Sequence, residues 1–278
     1  MKFSIIIPTF NRCHILWKAL LSVKSQAYSD FEVIVIDDGS TDMTKSLVKE
    51  FEVDSRFKYF YKKNGGASSA RNLGLEHSTG DMITYLDSDE ELYSNYLEIA
   101  NHFFSKNEDK IFGTSNFNFV LEKYDENFNK TERINFSSSQ KMNVKFEDIL
   151  NWKVKTCGTG IFHKANIDVS WDESITLLED LDFLISIGEK YPNGFLHISY
   201  ALFEYRQRYM TDGQCSLANY EDFSNAFKGI YDKHNGVKFN LEKEVYLGRY
   251  DKYAKLAQQF SDREVPAMNE YIFDQAKK

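Results

Sequence analysis

Four carboxylates, Asp87, Asp89, Glu90 and Glu91, crowd the stretch that follows the apolar run Met82, Ile83, Tyr85 and Leu86. On an extended chain residues two apart share a face, so Asp87 and Asp89 point the same way. Such a pair offers hard oxygen ligands for Mg²⁺ or Mn²⁺, and a cation held there holds a diphosphate in turn. The same residues also suit a solvated acidic turn ahead of a helix near 92–105. Asp-x-Asp is common by chance, so the pair alone leaves both uses open. Asp37 and Asp38 close a second apolar run, Phe31 to Ile36, where they either face a ligand or cap the helix after Thr41. Glu179, Asp180 and Asp182 form a third acidic group, suited to proton abstraction or simply to a helix N-terminus. The six histidines form no HxxxH or HExxH pair, so His163 and His197 are expected to be packed or on the surface.

Composition narrows the partners. A chain of 278 residues buries a large core and predicts one big domain, alone or with an appendage. The net charge of −8 and the lack of a basic run argue against nucleic acid. An acidic protein still takes a phosphorylated ligand when a metal ion supplies positive charge. Cys13, Cys157 and Cys215 are far apart and odd in number, which fits free thiols in a reducing compartment. The apolar start, Phe3 to Pro8, is short for a secretory signal, and no apolar run spans a bilayer. A cytoplasmic protein is expected.

The elements that must position these acids alternate in type. Phe3 to Ile7, closed by Pro8, reads as a buried parallel strand. A helix follows with Ile15, Ala19, Leu20, Val23 and Ala27 at helical spacing, and Asn11 is positioned to cap it. Phe31 to Ile36 is the second strand, Phe57 to Tyr61 a third, and a run reaching Asp87 the fourth, with helices after Thr41 and over 68–77. This order predicts βαβ units and a mostly parallel sheet. Ile111 to Leu121 reads as a further strand, Asn127 to Lys130 as a hairpin tip, Ser137 to Gln140 as a surface loop, and Gly158 to Phe162 as a short strand. Leu181, Leu184, Ile185 and Gly188 predict one more helix, and the chain reads as helical from about 218 onward.

Five motifs occur in order: Ile5 to Arg12, Val35 to Asp42, Gly65 to Gly74, Asp87-Ser88-Asp89, and Trp171 to Ser174 with Glu179 to Phe183. Over roughly residues 1–215 this series resembles glycosyltransferase family 2, the inverting nucleotide-sugar transferases of GT-A fold. The resemblance implies an α/β fold, with a GT-A domain over 1–217 and a C-terminal helical extension over 218–278. The domain divides into a nucleotide-sugar-binding half, 1–110, and an acceptor-side half, 111–217. It implies transfer from a UDP-sugar to a hydroxyl of a glycan or lipid-linked acceptor in surface-polysaccharide synthesis, with Mn²⁺ or Mg²⁺. It casts Asp38 as the reader of the uracil imide, Pro8 and Thr9 as its border, and Arg71 as a nucleotide contact whose alternative is an ion pair with Glu76 or Asp81. Asp89 becomes the metal ligand, Asp87 a ribose or water-mediated contact, and Asp180 the catalytic base. Asp38→Ala is accordingly expected to weaken UDP binding while leaving thermal unfolding nearly unchanged.

The sequence departs from the family where a His-bearing segment closes over the diphosphate. Here Tyr205 to Tyr209 lacks histidine, and Arg206 or Arg208 stands in, with Glu179 a further acceptor or diphosphate contact. From Lys228 onward ten basic residues face eight acidic ones, and Tyr246, Tyr250, Tyr253, Ala257 and Phe260 fall near helical spacing. That tail is expected to pack on the core or pair as a homodimer, with peripheral contact at the inner face of the membrane as the alternative. The rival functions are a sugar nucleotidyltransferase, which wants a Gly-rich basic loop where Thr9 to Arg12 stands, and a non-catalytic sugar-nucleotide or glycan-binding module.

Overall fold

The computed structural model describes residues 1–124, 130–136, 143–151, 154–209, 220–234, 246–249, 251–252 and 255. In chain order the elements begin β1 (Phe3–Thr9), α1 (Cys13–Lys24), β2 (Phe31–Asp37), α2 (Thr44–Phe51), β3 (Phe57–Tyr61), α3 (Ala67–His77) and β4 (Met82–Tyr85). They continue with β5 (Glu91–Leu92), α4 (Tyr96–Lys106), β6 (Phe112–Tyr124), β7 (Lys130–Phe136), α5 (Phe146–Leu150), β8 (Ile161–Lys164), α6 (Glu179–Lys190), β9 (Phe195–Tyr209) and α7 (Tyr220–His234).

All residues of β1 and β2 are buried, as expected of central parallel strands covered on both faces. The sheet runs β3-β2-β1-β4-β8-β6-β9-β5, with β7 pairing β6. Its first four strands are parallel, with Ile6 beside both Ile34 and Tyr85 and Ile36 beside Phe60. Strand β8 then pairs antiparallel with β4 and β6, and β5 antiparallel with β9. Parallel order leaves the carboxyl ends of β1, β2 and β4 at one edge, where ligands bind in open α/β sheets.

Helix α3 lies across β1 and β2. Gly74 permits this approach, because a Cβ there would collide with the Ile6 side chain. Gly74→Ala is expected to cost about 1–3 kcal/mol by overpacking, read as a lower urea midpoint at unchanged slope.

Several local expectations are corrected. Asn11 does not cap α1: it is left-handed (φ 52°), and its Oδ1 accepts from Thr41 N at 2.8 Å. Asp42 does the capping, accepting Cys13 N and Thr44 N at 3.0 Å each, so one carboxylate ties the starts of α1 and α2. Strand β4 stops at Tyr85 rather than Asp87, and Gly158 to Gly160 is loop that precedes β8. The acidic run leads first into the two-residue β5, and only then into α4.

The chain forms two compact units, one of residues 1–117 and 138–205, the other of 118–137 and 206–278. In the second, β7 pairs antiparallel with the outer part of β6, and Tyr246 is buried against Phe227 and Tyr231. Tyr250, Tyr253, Ala257 and Phe260, the hairpin tip 127–129 and the Ser137 to Gln140 loop lie outside the described residues. Among the described residues no helix is long and apolar enough to cross a membrane.

Candidate active site

Three strand ends meet at the parallel edge. Thr9 pairs with Asp37, Asp38 N donates to Thr9 O at 2.8 Å, and Leu86 N donates to Ile6 O at 3.0 Å, which brings Asp87 alongside. Pro8 and Thr9 are buried there, and the Thr9 Oγ1 has no hydrogen-bond partner among the described residues. A buried hydroxyl left unmatched in this way is a place for a ligand atom.

The two aspartates of β2 divide their work. Asp37 accepts from Ser40 N at 2.8 Å and from the Tyr59 hydroxyl at 2.6 Å, so it shapes the turn. Burial, and then this carboxylate, push the Tyr59 hydroxyl well above its ordinary range. Asp38 accepts from Lys62 Nζ at 2.8 Å, Gly65 N at 2.9 Å and Gly66 N at 2.7 Å. Gly66 (φ 89°) is the residue before α3, so Asp38 closes the turn that launches that helix. Neither acid caps α2. The expectation of an unchanged fold in Asp38→Ala is therefore revised: the loss of these bonds is expected to destabilise the apo protein by about 2–3 kcal/mol, measured by urea unfolding.

Arg71 is the centre of the site. It is 3 % exposed and forms neither of the ion pairs expected on the surface, with Glu76 or Asp81. Its Nη2 donates to Asp87 Oδ1 at 2.9 Å and its Nη1 to Glu179 Oε1 at 3.1 Å. The guanidinium lies 4.4 Å from the centre of the Trp171 ring, which stacks in turn on Phe183 at 4.2 Å. Trp171 is fixed from the next residue of α3: Trp171 N donates to Asn72 Oδ1 at 2.9 Å, and Asn72 Nδ2 to Trp171 O at 3.0 Å. Gly158 borders the guanidinium so closely that a Cβ would stand 3.1 Å from Nη2. Thr159 Oγ1 accepts from Asp87 N at 2.9 Å. Beneath, the Tyr85 hydroxyl and His163 Nε2 are 2.8 Å apart, and burial pushes His163 down to about 4, so it is a neutral packed residue.

Glu179 and Asp180 open α6 after Leu178, whose left-handed backbone (φ 61°) turns the chain into the helix. Asp180 is half-buried and accepts from Leu181 N at 2.8 Å. Its removal from water, and then the Glu179 charge beside it, push its carboxyl up to about 7 against the opposing pull of Leu181 N and Arg71. A carboxylate poised near neutrality is suited to general-base work. Asp182 is 2 % exposed in the same helical turn.

Asp89 Oδ2 lies 3.2 Å from Arg12 Nη1, which also reaches Ser88 Oγ at 3.4 Å. Among the described residues no three metal-ligating side chains converge. Mg²⁺ and Mn²⁺ at phosphate sites use one or two carboxylates together with substrate oxygens, so Asp87 and Asp89 fit that donor set. Arg206 and Arg208 lie near the end of β9 in the second unit, and the side chain of Arg208 is outside the described residues. The sequence alone did not mark Arg12, Asn72, Gly158, Thr159 and Trp171 as site residues, although Arg12, Asn72 and Trp171 lie inside its motifs.

A family model described as Glycosyl transferase family 2 matches residues 4–175. A GalNAc(5)-diNAcBac-PP-undecaprenol beta-1,3-glucosyltransferase of Campylobacter jejuni is 44 % identical over 99 residues, 34 % of this chain and 32 % of that protein. The chain spans a minor part of the curated relatives it matches, 20 % or less of three rickettsial glycosyltransferases among them. The S. aureus TarS 1–349 structure in complex with UDP-GlcNAc superposes with a TM-score of 0.67 at 22 % identity, covering 94 % of this chain and 73 % of that one. The mannosyltransferase PcManGT of Pyrobaculum calidifontis, in complex with GDP-Man and Mn²⁺, gives 0.62 at 15 % identity, covering 99 % and 79 %. The fold is GT-A, an α/β sheet flanked by helices.

Proposed function

Because the chain belongs to glycosyltransferase family 2, we propose that it transfers a sugar from a UDP-sugar to a hydroxyl of a glycan or lipid-linked acceptor with inversion at the anomeric carbon. The observation that carries this reading is the buried Arg71, which ties Asp87 at the strand ends to Glu179, the neighbour of Asp180. UDP sits along the ends of β1 and β2, with Pro8, Thr9 and the Asp38 turn beside the base. Asp180 accepts the acceptor's hydroxyl proton as that oxygen attacks the anomeric carbon and the bond to UDP breaks on the opposite face. Asp89, with Asp87 nearby, would hold a divalent cation, which would supply charge stabilisation for the leaving UDP. The uridine donor and lipid-linked acceptor are supported by the UDP-GlcNAc complex of TarS and by the name of the Campylobacter relative.

The test is incubation with a panel of UDP-sugars and Mn²⁺, following UDP release. One donor is expected to stand out, and EDTA to abolish its turnover. Mn²⁺ should raise UDP affinity in the wild type and much less in Asp89→Asn. Full turnover in EDTA would remove the metal role and leave the acidic cluster a solvated turn.

A further inference from the structure

The outer face of α1 is unlike that of a helix which only covers a sheet. Leu16, Ala19, Leu20 and Val23 are its buried side. At helical spacing His14, Trp17, Lys18 and Leu21 occupy the opposite side, with Trp17 41 % and Leu21 44 % exposed. Two more exposed apolar residues stand at its beginning. Phe10 (46 %) precedes Asn11, and Met43 (65 %) follows Asp42, the two residues that tie these loops together. Phe10 and Met43 thus add exposed apolar side chains in the two loops that meet at the start of α1.

Charge distinguishes this face as well. The protein carries −8 overall, yet α1 has His14, Lys18 and Lys24 and no carboxylate. Helix α2, which packs on α1, adds exposed Lys45 and Lys49 against Glu50 alone. Lys18 Nζ lies 5.6 Å from the centre of the Trp17 ring, and the indole N–H donates within its own helix to His14 O at 3.1 Å. Trp17 therefore presents its ring with its polar atom satisfied.

We propose that this face of α1, with Phe10 and Met43, rests on an anionic phospholipid surface. Aromatic and aliphatic side chains flanked by lysines suit the headgroup boundary, where rings bury while ammonium groups reach anionic phosphates. A second copy is a poorer occupant, because a two-fold interface would set this basic face against itself. The placement also serves the acceptor. Phe10 shares its loop with Arg12, which pairs with Asp89, so the lipid surface would lie beside the strand ends. That consequence rests on the lipid-linked acceptor proposed above; the surface itself rests on α1 alone.

The test uses the full chain without nucleotide sugar, so it stands or falls apart from the donor reading. Sedimentation with vesicles of phosphatidylcholine alone is compared with vesicles of equal parts phosphatidylcholine and phosphatidylglycerol. Binding is expected only to the anionic vesicles, with release in about 0.5 M salt. The double variant Trp17→Ala/Leu21→Ser is expected to lose at least about fivefold in bound fraction, with its melting temperature and UDP affinity unchanged. Absence of binding to the anionic vesicles, or equal binding by the variant, would overturn the proposal. So would a dimer in light scattering that the variant abolishes, since a second copy would then cover the face.

Discussion

Asp180→Asn is expected to slow transfer by about 10²-fold or more while leaving UDP–metal affinity within about threefold. The amide keeps the size of the side chain and its place at the start of α6 but cannot take the hydroxyl proton. Asp182→Asn, in the same turn, should cost far less. The pH dependence follows from the raised carboxyl. Asp180 must be ionised to act, so wild-type turnover should climb as pH rises through about 7 and flatten above it. Stability runs the other way: a carboxyl whose folded pKa is raised favours folding at low pH, and that contribution is lost as pH rises toward about 7. Asp180→Asn should therefore melt no lower than wild type at pH 8, although it is nearly inactive. A variant that transfers as fast as wild type would remove Asp180 from the chemistry.

Arg71 carries the second large effect. Arg71→Met leaves Asp87 and Glu179 without their counter-charge. The cost is expected toward the low end of about 3–5 kcal/mol, because both carboxylates retain some contact with water. Arg71→Lys is the more informative change. It keeps the charge but not the two-armed geometry or the flat stack on Trp171. If Arg71 acts through Asp87 and Glu179, the lysine variant should lose about tenfold or more in kcat while UDP affinity stays within about threefold. A loss confined to UDP affinity would instead make Arg71 a direct nucleotide contact.

The parallel half of the fold was legible because strands buried on both faces read as unbroken apolar runs, as in Phe3 to Ile7 and Phe31 to Ile36. Their acidic ends were legible for the same reason, since a charge that interrupts such a run marks where the strand leaves the core. What could not be read is long-range pairing. Arg71 meets Asp87 across 16 residues and Glu179 across 108, and nothing local distinguishes those partners from Glu76 or Asp81. Strand β9 was missed because its alternation changes phase: Leu196 and Ile198 fall on one face and Phe203 and Tyr205 on the other, with the run Tyr200 to Leu202 between, and the two-residue β5 is defined by its pairing with β9. Asn11 was expected to cap α1 because its type favours that position. Asp42, from the next loop, took the role instead, and this follows only once β1 and β2 are neighbours.

The central claim is inverting transfer with Asp180 as base, and the anomeric configuration of the product tests it most directly. NMR of the glycoside formed from the preferred UDP-sugar should show the configuration opposite to that of the donor. Retained configuration would contradict the account, because it requires two displacements or an internal return that a single base opposite the leaving group cannot give.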